Sequence, residues 1–458
     1  MNNHDGNNAN MERDQFVARL SEFAADNNKI DPFLFDYFGV KRGLRNNDGT
    51  GVLVGLTQIG DVHGYIMDEG HKVPVEGRLR YRGINVEDII NGCRADGRFG
   101  FEEVCFLLLF GKLPNQYELN TFRHILNERR TLPDGFLEDV ILKGAGGNIM
   151  NKLARCILAC YSYEDNPDDL SIGRVLCRCI DLIARMPAFV AYSYMAKCHY
   201  KDNKSLYIHN PKDGQSTAEC FLHMVRPDSQ FTRLEAETLD LALILHAEHG
   251  GGNNSTFVTR VVTSTGTDTY SAIAAGVGSL KGPRHGGANA RVMEMIHDIQ
   301  SHVSNWENES AVRDYLIKIL DRKAFDHTGL IYGMGHAVYT LSDPRAVLLK
   351  NKAKELAKIK HMESEFALYD TIERITPELF AERKGKEKTL CANVDFYSGF
   401  VYKMLGIPAD LYTPIFAIAR MPGWCAHSME ELISGGKIIR PAYRTLIQIK
   451  DYKPLKER

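Results

Sequence analysis

Apolar residues recur every three to four positions along most of this chain, the spacing that places them on one face of a helix. Residues 11–27 are the first example, with Leu20 and Phe23 at that spacing behind a polar segment, 1–10, that is expected to be a disordered tail. Residues 51–82 differ, because glycines interrupt short apolar steps there. Irregular loops or small hairpins are therefore expected in 51–82, the stretch that most favours β structure.

Helical signals dominate after residue 85. The sequence Thr232-Arg233-Leu234-Glu235 matches a capping box and predicts a helix that runs to His246 and stops at glycines 250–252. No convincing alternating strands and no fixed-period repeat follow residue 85, so the predicted class is all-α, a two-domain helical fold with short β or irregular segments near the amino terminus. The other helices are predicted over 101–110, 116–130, 148–163, 170–185 (ended by Pro187), 271–280, 289–302, 310–320, 345–361, 366–374, 399–405 and 415–419.

A shift in composition suggests an inner domain. The helices between about 286 and 389 carry more Lys and Glu than the helices before them. Solvated helix faces explain this shift, and a smaller, more exposed domain would show the same composition. We predict a large domain whose first part is 1–285, a small domain over 286–393, and a C-terminal part of the large domain over 394–458. A cleft between two such domains is a common place for a binding site.

Composition narrows the function classes. The formal net charge of −2 over 458 residues gives no basic excess that could follow a nucleic-acid backbone. Ten scattered cysteines without a Cys-x-x-Cys pair are typical of a reducing compartment, and Cys156, Cys160, Cys177 and Cys179 are expected to be small buried hydrophobes in helices. The amino terminus lacks the features of a signal or transit peptide, and no apolar run approaches the ~18 residues of a membrane span. A cytoplasmic protein without nucleic-acid or membrane partners is expected.

Three glycine-flanked turns carry candidate acid–base groups. Asp395 lies in the sequence CANVDFYSG that ends at Gly399, His285 lies in GPRHGGAN, and His336 lies in GMGHAVY. Each has a structural alternative, since an Asp before a helix is often an N-cap and the histidines could be capping, turn or core residues. A position before a helix disfavours imidazolium, so His285 is expected to be a neutral donor to a carbonyl oxygen that gains negative charge.

A second group of residues suits an anionic ligand. His246 and His249 form a His-x-x-His pair, but a metal site is not expected, because the HExxH spacing is absent and no acidic or cysteine residue completes a ligand set. His249 is expected to contact an anionic ligand instead. Arg345 follows Asp-Pro, whereas Arg420 and Arg440 end apolar runs, where a single Arg more often reaches to solvent. Together the three arginines offer planar forks suited to a substrate with several carboxylates.

Several reaction classes lack their motifs in the stretches that carry these residues. There is no Walker-type phosphate loop, no G-x-G-x-x-G that opens a βαβ unit, and no Ser or Cys in a nucleophile elbow. Because histidines and a carboxylate are present without such a nucleophile, proton transfer next to a carbonyl group is the expected chemistry.

The chain resembles the citrate synthase family from about residue 51 to the region of Pro441. Each matching segment is weak evidence alone, but together, in the order that the family shows, they are very specific. The segments are LHAEH (245–249) followed by NNST (253–256), then 282–289, 333–339, DPR (343–345), 393–399, 416–420 and Arg440-Pro441.

This resemblance implies a citrate-synthase-like, almost wholly helical homodimer with a small domain inserted before Asp395. It also implies an acyltransferase of the tricarboxylic acid cycle that condenses acetyl-CoA with oxaloacetate and water to give citrate and CoA. By the same resemblance, Asp395 removes a methyl proton from acetyl-CoA, His285 hydrogen-bonds the thioester oxygen, and His336 polarises the oxaloacetate carbonyl.

The resemblance also implies binding residues. Arg440 is expected to reach in from the partner subunit. CoA is a substrate, and no metal or other cofactor is implied. The residues expected to hold carboxylates are His249, Arg345, Arg420 and Arg440, and those expected to contact CoA are Gly333 and Asn393.

Two features depart from the family pattern. Many members carry Arg or Lys a few residues after the position of His336, where it can meet a CoA phosphate, whereas this chain has Thr340. The first 45 or so residues do not resemble the small β-rich extension of NADH-regulated members, so NADH inhibition is not expected. Two other functions stay open: a 2-methylcitrate synthase, which uses the same residues with propionyl-CoA, and a catalytically silent oxaloacetate- or citrate-binding homologue, which would be expected to lack the Asp or a His.

Overall fold

A computed structural model describes residues 4–46, 48–69, 71–384, 390–434 and 436–458. The chain divides into two compact units, Met1–Val54 and Gly55–Arg458. The first unit contains helix α1 (His4–Asn27), helix α2 (Phe33–Tyr37) and a single 3-10 turn (Arg42–Leu44). Helix α1 begins at His4 and not at residue 11, so most of the expected polar tail continues the helix, and residues 1–3 lie outside the described part.

The second unit opens with a small antiparallel sheet in the order β1 (Gly60–Asp68), β2 (His71–Tyr81) and β3 (Ile84–Asn85). This sheet confirms the β structure expected between residues 51 and 82. The register of β1 on β2 shifts between His63 and Tyr65. Because Leu79 and Tyr81 are fully buried, the end of the hairpin is anchored in the helical core.

Helices form the rest of the second unit, which confirms the all-α class. Their bounds follow from apolar spacing and caps; Thr232, for example, caps α9 and forms the expected capping box with Glu235. The helices are α3 (Val86–Ala95), α4 (Phe101–Phe110), α5 (Gln116–Glu128), α6 (Ile149–Ala159), α7 (Ile172–Asp202), α8 (Thr217–Val225), α9 (Arg233–His246), α10 (Asn254–Thr263), α11 (Thr269–Lys281), α12 (Ala288–His302), α13 (Glu309–Leu320), α14 (Pro344–Lys360), α15 (Glu363–Lys384), α16 (Val394–Met404) and α17 (Tyr412–Ile433).

Several predicted helix ends were wrong; α15, for example, runs to Lys384 and not to residue 374. Helix α7 continues through Pro187, which is buried, and does not stop before it. Helix α17 likewise contains Pro422, so Arg420 lies inside a 22-residue helix and not at its end. A proline removes one backbone hydrogen bond, and burial of the apolar residues on both sides compensates for that loss.

The core is built around α17, which packs against α4, α7, α9, α10 and α11. Trp424 of α17 is fully buried at the centre of this contact. The cysteine prediction holds for Cys156, Cys160 and Cys179, which are buried, but Cys177 is exposed and the prediction for it was wrong. The boundary expected at residue 285 falls in the turn before α12, and the division into a large and a small domain stays a prediction.

Candidate active site

Asp395 lies in the first turn of α16, and its own side chain is not the helix cap. The cap is Asn393, whose side chain accepts a hydrogen bond from the backbone N–H of Asp395 at 3.0 Å. Helix α16 therefore begins at Val394, five residues before the predicted start. This arrangement leaves the carboxylate of Asp395 available for chemistry while the helix terminus is still satisfied.

The turn that carries His336 is pinned to the segment before Asp395. Gly335 N–H donates to Cys391 O at 2.8 Å, and Asn393 N–H donates to Gly333 O at 2.9 Å. The Asn393 side chain adds a bond from Nδ2 to Gly335 O at 2.9 Å. Gly333 and Gly335 have φ values of 79° and 96°, a region that favours glycine. These contacts join the turn that carries His336 to the segment that leads into Asp395, and they give Gly333 and Asn393 a structural role. The expected contact of Gly333 and Asn393 with CoA stays a prediction.

His336 is held in one orientation and one tautomer. Its Nδ1 accepts hydrogen bonds from the backbone N–H groups of Val338 at 3.0 Å and Tyr339 at 3.1 Å. A backbone N–H can only donate, so the neutral ring carries its proton on Nε2. The ring also stacks on Tyr339, with 4.7 Å between ring centroids. His336 thus presents an Nε2–H donor.

His249 lies next to His336, with ring centroids 5.1 Å apart, and 5.6 Å from Tyr339. It is buried, and its Nε2 has no hydrogen-bond partner among the residues the structure describes. Burial, together with the positive charge of Arg345, holds the pKa of His249 well below its usual value, so the ring is neutral.

His246 plays a different part from His249, although the sequence paired them. Helix α9 ends at His246, so the two histidines do not share one helix face as predicted. His246 Nδ1 bonds Ala242 O at 2.8 Å, its ring packs on Phe416, and burial lowers its pKa to about 3. Within the described ranges, no group of three or more His, Cys, Asp or Glu residues could hold a metal ion.

Arg345 is buried near the start of α14, and Asp343 occupies one side of its guanidinium. The Nη2 and Nε atoms of Arg345 bond the two carboxylate oxygens of Asp343 at 2.7 and 3.0 Å. Asp343 is also the N-cap of α14. Burial opposes the charge of Arg345, but Asp343 outweighs it and raises the pKa above its usual value. Arg345 is therefore a fixed, fully charged cation next to Tyr339, whose ring lies 5.7 Å away.

Arg420 is fully buried in the middle of α17 and does not reach to solvent. Its Nε donates to His246 O at 2.7 Å, and its guanidinium lies 5.0 Å from the centre of the Phe416 ring. Neither Nη atom has a hydrogen-bond partner among the described residues. Burial lowers the pKa of Arg420 to about 10, which leaves it charged at neutral pH. An anchored guanidinium with an open fork is suited to a carboxylate ligand.

His285 lies in the turn before α12, where the sequence placed it. Ser255 contacts its Nε2 through the hydroxyl at 3.0 Å and through the backbone N–H at 3.4 Å. Because that backbone N–H can only donate, Nε2 is the acceptor and the neutral ring carries its proton on Nδ1. Trp424 Nε1–H donates to the same Ser255 hydroxyl at 3.1 Å and fixes it. Burial lowers the pKa of His285 to about 4, with Arg420 as a second cause.

The charges around Asp395 set its basicity. Its withdrawal from water raises the pKa to about 6, Arg345 and Arg420 oppose that rise, and Asp343 adds to it. The acid–base and binding residues predicted from sequence therefore form one cluster that contains His249, His285, His336, Arg345, Asp395 and Arg420. The cluster combines a carboxylate that ionises near neutrality with two neutral imidazole donors and two cations.

Arg440 is not brought into this cluster. It is exposed in the segment 436–458, which follows α17 and is irregular apart from one 3-10 turn. The neighbouring Ile439 N–H bonds Ser264 Oγ at 3.1 Å and holds the start of the segment on the end of α10. The expectation that Arg440 serves a partner subunit stays a prediction.

Sequence reasoning missed several residues that shape the site. Tyr339 contacts both His249 and His336, Asp343 neutralises part of Arg345, and Phe416 packs against His285 and Arg420. A signal existed for Asp343, since an Asp directly before a Pro at a helix start is a typical cap. The roles of the two aromatic residues depend on tertiary contacts and have no local signature.

None of the helices in the described part of the chain is both long enough and apolar enough to cross a membrane.

Comparison with known proteins places the chain in a family. The model of the citrate synthase C-terminal domain matches residues 47–442. A citrate synthase from Synechocystis sp. is 37% identical over 396 residues, which cover 85% of this chain and 90% of that protein.

Other relatives differ in the activity that their names state. A citrate synthase from Haloferax volcanii is 34% identical over 92% of this chain and 99% of its own length. A 2-methylcitrate synthase from Shewanella oneidensis is 32% identical over 80% of this chain and 87% of its own length. Among solved structures, citrate synthase from Thermoplasma acidophilum, in a ternary complex with carboxymethyl coenzyme A and oxaloacetate, matches with a TM-score of 0.73 and 26% identity over 92% of this chain and 99% of that chain.

Proposed function

The chain belongs to the citrate synthase family, and we propose that it condenses acetyl-CoA with oxaloacetate and water to give citrate and CoA. The observation that carries the proposal is the cluster in which the half-buried Asp395, with a pKa raised to about 6, lies within electrostatic range of the buried Arg345 and Arg420. This condensation requires a carboxylate whose pKa lies near neutrality, two cations and two oriented imidazole donors.

Oxaloacetate is the substrate that binds in the cationic part of the cluster. Its carboxylates meet the open Nη atoms of Arg420 and the Nη1 side of Arg345 that Asp343 leaves available. His249 adds a buried Nε2 position on the same side. The Nε2–H of His336 donates to the keto oxygen, which makes the carbonyl carbon more electrophilic.

Acetyl-CoA reacts at the other side of the cluster. The carboxylate of Asp395 accepts a proton from the methyl group, and the electron pair moves to the thioester oxygen, which receives a hydrogen bond from Nδ1–H of His285. The new C–C bond forms as the methyl carbon attacks the keto carbon, while the Nε2–H of His336 hydrogen-bonds the keto oxygen as it gains negative charge. That oxygen takes up one proton, which balances the proton that Asp395 removed, and becomes the hydroxyl group of citryl-CoA. Water then cleaves the thioester of the citryl-CoA intermediate and releases citrate and CoA. A carboxylate is a weak base for a thioester methyl group, so the donor at the oxygen and the pre-oriented electrophile are both needed.

The proposal extends to assembly and location. We propose a cytoplasmic homodimer in which Arg440 of one subunit binds a carboxylate in the site of the other. The exposure of Arg440 in its own chain supports this assignment. Gly333 and Asn393, which are hydrogen-bonded to each other at the junction between the His336 turn and α16, are proposed to contact CoA.

The test measures the consumption of acyl-CoA in the presence of oxaloacetate. The absorbance of the thioester is monitored, because the ten cysteines of the protein would react with a thiol reagent. A kcat/KM for acetyl-CoA well above that for propionyl-CoA supports the proposal. Comparable or higher values with propionyl-CoA support 2-methylcitrate synthase, which the relative from Shewanella oneidensis keeps as a second candidate. One methylene is worth only about 1–3 kcal/mol of discrimination, so both substrates are measured. Absence of turnover with either substrate would refute both enzymatic proposals.

A further inference from the structure

A buried carboxylate, Glu248, lies between His246 and His249 and has no part in the reaction described above. It is fully buried, and its Oε1 accepts hydrogen bonds from Gly250 N–H at 2.5 Å and from His427 Nε2 at 2.9 Å. Its Oε2 has no hydrogen-bond partner among the described residues. The Oε1 contacts close the short turn that carries His249 beyond the end of α9.

The space around Glu248 is shaped for a carboxylate. A Cβ atom on Gly60 would lie 2.7 Å from Oε1, and a Cβ atom on Gly423 would lie 2.7 Å from Oε2. Both distances are shorter than a van der Waals contact allows. Two glycines, one on β1 and one on α17, therefore leave room for this side chain, and any larger residue at either position would displace it.

His427 holds Glu248 without neutralising it. Its Nδ1 lies 2.9 Å from Nη1 of Arg260, and since a guanidinium can only donate, Nδ1 is the acceptor and Nε2–H donates to Glu248. The charge of Arg260 is itself balanced by Glu430 at 2.8 Å and Glu431 at 3.3 Å. The negative charge of Glu248 is thus left to act on another buried cation.

That cation is Arg420. Burial is the largest influence on the pKa of Arg420 and lowers it, and Glu248 is the charge that opposes this most strongly. The contact is electrostatic only, because Arg420 uses Nε for His246 O and leaves both Nη atoms open. The charge of Arg345 is compensated differently, because Asp343 binds its guanidinium directly. A buried charge without any compensation would be strongly unfavourable.

We propose that Glu248 is a positioning residue for the dicarboxylate substrate: it fixes the turn that carries His249, and it is the remote counter-charge that keeps Arg420 charged with its fork open. The inference rests on the proposed function, in which His249 and Arg420 bind oxaloacetate. Asp395 is the other carboxylate that acts on Arg420. Without the charge of Glu248, we expect the guanidinium to turn toward Asp395, which closes the fork before substrate arrives.

Glu248→Gln tests this proposal, because the amide oxygen still accepts from Gly250 N–H and His427 while the charge is lost. We expect KM for oxaloacetate to rise at least tenfold, with kcat and KM for acetyl-CoA changed less than threefold. Glu102→Gln is the matched control, since Glu102 is also buried and accepts a backbone N–H, from Thr217 at 2.7 Å, outside the site. It is expected to lose stability without a change in KM.

Gly60→Ala provides an independent variant if Glu248→Gln does not fold, because its Cβ displaces the same carboxylate. It is also expected to raise KM for oxaloacetate more than KM for acetyl-CoA. Direct titration of oxaloacetate by calorimetry separates this proposal from the proposed function. If the parent protein binds oxaloacetate without turnover, the proposed function fails. The ratio of the Kd for oxaloacetate in Glu248→Gln to that in the parent protein still tests the role of Glu248. An unchanged KM or Kd for oxaloacetate in folded Glu248→Gln would overturn the positioning role.

Discussion

At the scale of single residues, the protonation states of the site follow from burial and from a few backbone contacts. His285 and His336 are neutral donors because each has one ring nitrogen that accepts from backbone N–H groups, and burial lowers the pKa of His285 to about 4. Asp395 has the opposite shift, since burial raises the pKa of a carboxyl group. The site thus holds a base that is ionised and donors that are neutral near pH 7.

Replacement of Asp395 by Asn tests the base. We expect kcat to fall about 10²–10⁴-fold, the usual contribution of a general base, while the Kd for oxaloacetate changes little. The pKa of Asp395 is raised in the folded protein above its usual 3.8, so the ionised carboxylate costs stability above pH 6. The variant should therefore melt at the same temperature as the parent protein or higher at pH 8. A kcat within tenfold of the parent value would contradict the assignment.

The same shift predicts the acid limb of the pH profile. The base acts only when it is ionised, so kcat/KM for acetyl-CoA should fall about tenfold per pH unit below pH 6. His285, with a pKa of about 4, stays neutral through this range and adds no second limb above pH 5. Initial rates between pH 5 and 8, with stability checked at each pH by circular dichroism, provide the measurement. A rate that stays constant down to pH 5 would mean that the base has an ordinary pKa.

At the scale of elements, the hairpin β1–β2 supports the loop between His336 and Arg345. A Cβ atom on Gly77 would overlap Ser342 O and would lie 2.8 Å from the Tyr339 ring. The backbone N–H of Gly77 also donates to Ser342 Oγ at 3.2 Å. The hairpin therefore sets the position of a loop that carries one catalytic and one binding residue.

Gly77→Ala should consequently do more than lower stability. Overpacking of this kind costs about 1–3 kcal/mol, and displacement of the 338–344 loop should raise KM for oxaloacetate several-fold. Gly92→Ala is the control, because Gly92 lies inside α3 with no atom within 4 Å of its Cβ position. Alanine there should leave KM unchanged and stability equal or greater. Thermal melts and steady-state kinetics on both variants test this prediction. Equal KM values for oxaloacetate in the two variants would show that the hairpin has no influence on the site.

The elements also show which local signals can be trusted. Capping boxes and apolar spacing predicted α4, α9 and α12 to within one or two residues, because those signals act within a few residues of each other. The glycines at 250–252 separate α9 from α10, as predicted, but Pro187 and Pro422 do not end their helices, since α7 and α17 run through them. In both cases tertiary burial outweighs a local breaker, and a single sequence does not reveal burial.

At the scale of the whole molecule, six of the seven predicted catalytic and carboxylate-binding residues come together from six separate segments of the chain. Periodicity could predict the helices that carry them but not their meeting, because no spacing rule relates His249 to Arg420. The order of short motifs shared with the citrate synthase family supplied that information. Glu248 and Tyr339 lie within those motifs, but their contacts emerged only from the folded chain.

Arg440, the seventh residue, is the one that we propose to act in the site of a second subunit. It begins a segment, 436–458, on which large apolar side chains such as Tyr443 and Ile449 are almost fully exposed. Exposed apolar side chains of this kind mark a surface that another protein copy can cover. In a symmetric dimer this segment would carry Arg440 into the site of its partner and receive the partner's segment in return.

Subunit mixing tests this assignment directly. Asp395→Asn and Arg440→Ala are co-expressed with different tags, and the mixed dimer is purified. If Arg440 acts in the partner's site, one of the two sites in the mixed dimer combines both changes and the other has neither, so about half of the parent activity returns. If Arg440 acts in its own subunit, each site keeps one defect and the activity equals the mean of the two variant homodimers. The two variant homodimers, each assayed alone, give the baseline activity. Neither substitution alters the exposed apolar residues of 436–458, so a loss of dimerisation would not explain a mixed dimer whose activity does not recover.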